Sequence, residues 1–222
     1  MESLPADERR LLTALFVLTF VTGLIDAGSF LAMGHVFTAN MTGNVVFLGF
    51  AFAGEPGLSV ARSLTALAAA VLGGMLARRY VECAPEGARN AWLARALLTE
   101  AACLALAALA AMRGTHGTAL YVVIALAALG MGVRNAAVRH LAVPDMTTTV
   151  LTLTIAAIAF DLSLFSGNNP RWRRRLGAAA VMFSGAFAGA LLLRVSLAVL
   201  LAVSAALSGA CAWIVKGEKA GA

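Results

Sequence analysis

The chain has 222 residues, 61% hydrophobic and 13% charged, with a mean hydropathy of +0.87. Those values exclude a soluble globular protein and describe a polytopic membrane protein. At about 20 apolar residues per crossing, the length holds roughly six to eight short-looped segments and no separate catalytic domain. A net charge of +6 and a pI near 10.0 would suggest nucleic acid in a soluble chain, but here the basic residues lie between apolar runs, where orientation and anionic lipid headgroups account for them.

In chain order, the first apolar run covers residues 11–33. It follows Arg9-Arg10 and carries no A-x-A cleavage pattern, so it reads as a retained helix rather than a signal peptide. Further runs long enough to span cover residues 59–77, 91–112, 118–138, 176–193 and 195–215. Two runs are shorter: residues 41–54, closed by Gly54-Glu55-Pro56, and residues 146–160, closed by Asp161. Their length suits re-entrant or interfacial helices better than full crossings. Cys83, Cys103 and Cys211 are scattered and odd in number, which predicts free thiols and neither a disulfide framework nor a metal site.

The distribution of Lys and Arg discriminates between the two topologies. If all eight runs cross, the N-terminal side holds Arg9, Arg10, Arg62, Arg113, Arg171, Arg173, Arg174, Arg175, Lys216 and Lys219, ten of the 17 basic residues. If the two short runs do not cross, that side gains Arg78, Arg79, Arg89, Arg95, Arg134 and Arg139, and only Arg62, Arg113 and Arg194 face the other. The second split obeys the positive-inside rule far better. It predicts six crossings with both termini cytoplasmic.

A motif occurs twice. His35-Val-Phe-Thr-Ala-Asn-Met-Thr-Gly-Asn44 and His140-Leu-Ala-Val-Pro-Asp-Met-Thr-Thr-Thr149 each lead into a short run, and the pair Gly23-Leu-Ile-Asp26-Ala27 and Gly132-Val-Arg-Asn135-Ala136 extends the likeness, as do Cys103 and Cys211. The expected fold is all-α, a single membrane domain over 1–222 with repeats at about 11–112 and 118–215. Three crossings per half make an inverted repeat; four per half would make a parallel one.

Residues 23–49, GLIDAGSFLAMGHVFTANMTGNVVFLG, and 130–154, GMGVRNAAVRHLAVPDMTTTVLTLT, resemble the two signatures of the YoaK-type family of small bacterial integral membrane proteins. The likeness follows nearly the whole chain in order. It implies a bacterial cytoplasmic (inner) membrane protein of a family known as a domain of unknown function, and so supplies no activity. It departs at Arg134, where the family pattern more often has Gln or another neutral polar residue before Asn135.

Paired short runs in corresponding halves point to a solute site built from broken helices. Asn40, Thr42, Gly43 and Asn44 open one short helix; Asp145, Thr147, Thr148 and Thr149 open the other. Two such N-termini, with unpaired N–H groups and positive dipole ends, would hold a polar or anionic group. The competing reading makes Asn40 and Asp145 ordinary N-caps, with the threonines bonded back to their own helices. Asp26 and Arg134 are ionisable at membrane depth, which suggests a structural ion pair with each other or a proton- or substrate-linked role beside Asn135. His35 and His140 correspond, but without a third ligand they read as helix-end or loop residues, and no metal site is expected.

Gly73-Gly74 and Gly185-Ala-Phe-Ala-Gly189 predict close helix packing, or a seam for motion or homo-oligomerisation. Arg171-Trp-Arg-Arg-Arg175 reads as an anchor in anionic headgroups, too small for nucleic acid. Three functions fit these features. A small-solute transporter or facilitator uses the repeat; a scaffold or regulator needs only packing faces; an intramembrane enzyme would need acid–base or nucleophile signatures that the chain lacks, so no enzyme and no cofactor is expected.

Overall fold

The computed structural model describes residues 5–85, 87–141 and 172–216. Among these residues the protein is all-helical: α1 (Ala6–Ala32), α2 (Met41–Phe52), α3 (Val60–Glu82), α4 (Arg89–Met112), α5 (Gly117–Leu141), α6 (Trp172–Leu192) and α7 (Leu197–Lys216). All but α2 contain a stretch long and apolar enough to cross a membrane. At 12 residues α2 is about 18 Å long, short of a hydrocarbon core of about 30 Å. The helices overrun some apolar runs by a turn; α3 continues through Arg78 and Arg79, where Arg78 pairs with Glu82 one turn on at 2.6 Å. The predicted run at 146–160 lies outside the described residues.

Two apolar clusters fix the direction of each helix. One gathers Ile25 and Met33 from the end of α1, Ala66 from the start of α3, Leu104 and Ala107 from the end of α4, Ile124 from α5 and Leu200 from the start of α7. The other gathers Leu15 and Leu18, Ala77, Trp92 and Leu97, Val138, and Cys211, Ala212 and Val215, the opposite ends of the same helices. Gly177, Gly185 and Gly189 of α6 lie in turn against Phe16, Phe20 and Leu24 of α1, so these two helices run side by side in one direction. Hence α1, α4 and α6 point one way and α3, α5 and α7 the other. The connection from α1 to α3, with α2 inside it, leaves and rejoins the bundle at the same end, and α5 ends where α6 begins, at the other.

Glycine sets the two closest crossings. A Cβ on Gly23 would stand 2.3 Å from the carbonyl oxygen of Met182, and one on Gly185 would stand 2.2 Å from that of Phe20, so α1 and α6 touch backbone to backbone. At the α3–α5 crossing, a Cβ on Gly73 would meet the Leu129 oxygen at 2.2 Å and one on Gly132 the Ala70 oxygen at 2.3 Å. In lipid, where apolar side chains gain nothing by leaving tails for one another, such close approach supplies much of the association. Central positions belong to α1, α4, α5 and α7, while α3 and α6 turn Val71, Leu72, Met75, Phe183 and Phe187 outward. An apolar exterior of this kind is what a bilayer-facing surface requires.

Candidate functional site

The interior contains two adjoining polar groups on α1 and α5. In the first, Arg134 is fully buried and donates from Nη1 to Glu100 Oε1 at 3.0 Å and to the Leu18 carbonyl at 3.2 Å, and from Nη2 to Thr22 Oγ1 at 2.8 Å. Thr22 in turn donates to the Leu18 carbonyl at 2.9 Å. Glu100 is equally buried and faces Ser208 of α7, whose hydroxyl is close to the carboxylate but short of full hydrogen-bond geometry. Three helices are therefore joined to α1 through one ion pair and its neighbours. A buried pair is sustained by further hydrogen bonds, which the Leu18 carbonyl and Thr22 hydroxyl supply to Nη1 and Nη2 here, while Arg134 Nε and Glu100 Oε2 are left without a partner.

The second group surrounds one residue of the α1–α2 connection. The N–H of Ala39 is directed to the Asp26 carboxylate, and the Ala39 carbonyl accepts from Asn135 Nδ2 at 3.2 Å. A piece of irregular backbone thus lies between an acid on α1 and an amide on α5. Three oxygens here are buried without a hydrogen-bond partner: Asp26 Oδ1, Thr38 Oγ1 and Asn135 Oδ1. Most buried polar atoms are satisfied, so three orphans around a single residue mark a place of unspent binding capacity.

At the start of α2 the polar residues are largely committed to the fold. The Asn44 amide holds the Phe37 backbone from both sides, its Oδ1 accepting from Phe37 N at 2.9 Å and its Nδ2 donating to the Phe37 carbonyl and to Met41 Sδ. Gly43 lets the Phe37 ring lie against the helix, since a Cβ there would stand 2.6 Å from that ring, and Phe37 stacks in turn on Phe30 and Phe47. Asn40 occupies the N-cap position but its side chain makes no capping bond, and Thr42 is exposed.

Residues 14–214 match a family described as a protein of unknown function, DUF1275. The chain belongs to this family. It is also similar to the UPF0700 transmembrane protein YoaK of Bacillus subtilis (strain 168), with 35% identity over 151 residues, 68% of this chain and 67% of the relative. No solved structure matches it significantly. Asp26, Glu100, Arg134 and Asn135 all fall inside the segment matched to DUF1275.

For this DUF1275 protein the structure rearranges several sequence expectations. The ion-pair partner of Arg134 is Glu100, not Asp26: the guanidinium points along α1 toward Leu18 and Thr22, a turn away from the carboxylate. Asp26 and Asn135 do meet, through Ala39. His35 and His140 lie at opposite ends of the bundle. His35 adopts a left-handed φ of 57° in the turn closing α1 and packs on Phe30, while His140, in the last turn of α5, packs on Trp92. Asp145, Thr147, Thr148 and Thr149 lie outside the described residues. Glu100 was missed, although a lone acid inside the apolar run 91–112 is itself a signal, as is the 108-residue offset that matches it to Ser208.

The double grip of Asn44 carries a prediction. Asn44→Ala strands both polar groups of Phe37 in a part-buried setting, at up to about 1–3 kcal/mol for each group left unsatisfied, and should lower the melting temperature of the purified protein. Asn44→Asp keeps an acceptor but sets a carboxylate against the Phe37 carbonyl, so it should rescue little. Melting at the parent temperature in both variants would remove Asn44 from the architecture.

Proposed function

We propose that this membrane protein transports or facilitates passage of a small polar or anionic solute, and that it is a 3+3 inverted repeat of six crossings with α2 as a re-entrant half-helix. The observation that carries the reading is the Ala39 backbone held between Asp26 and Asn135 with unpartnered oxygens around it. Irregular backbone at membrane depth, beside an ionisable side chain on a central helix, is how many secondary transporters form their sites. A scaffold would be served by the glycine crossings alone and leaves these oxygens without a purpose. The reading includes no catalytic step.

Helix directions and pairings support the inverted arrangement. Each helix of the first half is antiparallel to its counterpart: α1 to α5, α3 to α6, α4 to α7. Contacts correspond too, α1 lying on α6 as α5 lies on α3, with Gly23 against Gly185 as Gly132 against Gly73. Glu100 and Ser208, 108 residues apart as Cys103 and Cys211 are, meet at the α4–α7 contact. Support for six crossings over eight is that α1 ends, and α3 begins, at one end of the bundle. With Arg134 interior, the remaining basic residues still divide thirteen against the three of Arg62, Arg113 and Arg194, which favours a cytoplasmic N-terminus in a bacterial inner membrane.

The test of function is a panel of small carboxylates, phosphate, polar amino acids and sugars offered to the protein in proteoliposomes, with flux and binding both measured. Movement of one class above empty liposomes is expected; neither movement nor binding of any solute would overturn the reading. Topology has a separate check. Cys83 is exposed while Cys103 and Cys211 are buried, so a membrane-impermeant maleimide should label the parent at Cys83, and only after cells are permeabilised. Labelling of intact cells would place the α3–α4 loop outside and reject the cytoplasmic termini.

A further inference from the structure

The buried acidic and basic side chains among the described residues are Asp26, Glu100 and Arg134. Arg134 is engaged by Glu100 at 3.0 Å, so with all three ionised one negative charge is left over, and it falls on Asp26. An uncompensated carboxylate within a membrane-spanning bundle is costly enough that a charge-neutralising partner is expected.

Around Asp26 the donors are oxygens. The Asp26 carboxylate faces the Ala39 N–H and Asn135 donates to the Ala39 carbonyl, so both side chains meet the same residue, and buried Thr38 immediately precedes it in the chain. Each contributes an unpartnered oxygen: Asp26 Oδ1, Asn135 Oδ1 and Thr38 Oγ1. Thr38 is fully buried and Asp26 is 9% exposed, so bulk water does not supply the missing bonds freely. Asn135 is oriented by its donated bond to Ala39, which leaves its carbonyl oxygen as an acceptor.

We propose that Asp26, Thr38 and Asn135 form a site for a hard monovalent cation of the sodium or potassium type. One carboxylate with an amide and a hydroxyl oxygen matches a single positive charge. Calcium takes six to eight oxygens and usually more than one carboxylate, and soft transition metals seek the sulfur and imidazole that this cluster lacks. Such an ion neutralises Asp26 and ties α1, the α1–α2 connection and α5 together, so its arrival and departure change how firmly the connection sits between the two helices. As a coupling ion it rests on the transport reading; as a bound ion it stands on the geometry alone.

The experiment is thermal melting of the whole protein in nanodiscs, titrated with NaCl, KCl or choline chloride at constant ionic strength and constant pH. A ligand of the native state raises the melting temperature saturably. Sodium or potassium should do so where choline does not, Thr38→Val should weaken the apparent affinity several-fold, and Asp26→Asn should abolish the response. Thr38→Val removes a hydroxyl without changing shape, so it keeps the test decisive if the Asp26 variant fails to fold. Equal melting in all three salts, or a response to sodium or potassium unchanged in Thr38→Val, overturns the proposal; so does a repeat of the titration at several pH values in which stabilisation follows pH and not the cation, which would mean that a proton neutralises the site. Cation binding in a protein that moves no solute would keep this inference and defeat the transport reading.

Discussion

Arg134→Met is expected to be among the most damaging single substitutions in the chain. It leaves Glu100 fully buried without its guanidinium and removes the donors to the Leu18 carbonyl and Thr22, and breaking a buried pair from one side typically costs about 3–5 kcal/mol. The measurement is the melting temperature and the monodispersity of the protein purified in detergent. Glu100→Gln combined with Arg134→Met removes both charges and should recover much of the loss, because the penalty comes from the stranded carboxylate more than from the missing attraction. A single Arg134 variant as stable as the parent would show that Glu100 is accommodated by other means.

The second large effect concerns a single methyl group. Gly73→Ala places a Cβ 2.2 Å from the Leu129 oxygen and 2.8 Å from the Val133 nitrogen, both backbone atoms that cannot yield without separating α3 from α5. The loss should reach or exceed about 3 kcal/mol, the upper end of ordinary overpacking costs. Gly74→Ala, one residue along, would meet only the Ala136 methyl at 3.8 Å, an ordinary contact, and should be neutral or slightly stabilising through helix propensity. Gly23→Ala, Gly132→Ala and Gly185→Ala should behave like Gly73→Ala. Equal melting of the Gly73 and Gly74 variants would mean that the crossing is looser than these distances.

Much of the fold is legible in the sequence because the bilayer leaves few options. Six runs long enough to span became helices with bounds within a few residues of the apolar limits, and the run beginning at Met41 became a 12-residue helix. Composition and length suffice for that. The polar chemistry was harder to read, since it depends on which helix faces which. Asp26 and Arg134 carry opposite charge inside two of the long apolar runs, yet the guanidinium chose Glu100, about two and a half helical turns into the run 91–112. Asn44 stands where a solute ligand is expected, but an amide offers a donor and an acceptor, the pair needed to hold one residue of extended chain. The glycines showed the reverse: spacing marked them as packing positions without revealing that Gly23 answers Gly185 and Gly73 answers Gly132.

The exchange of partners across the middle of the chain has a consequence for biosynthesis. α1 lies on α6 and α7, and α3 lies on α5, so the earliest helices have little to rest on among those made just after them. When α1 leaves the ribosome it carries Asp26, Thr22 and Gly23 into the lipid, and the helices on which it packs, α6 and α7, are synthesised more than a hundred residues later. Until then a polar, glycine-notched helix must wait in the bilayer or at the insertion machinery. Expressed alone, the first half should therefore be a substrate for quality-control proteases, and the same half made alongside the second as a separate polypeptide should be protected from them.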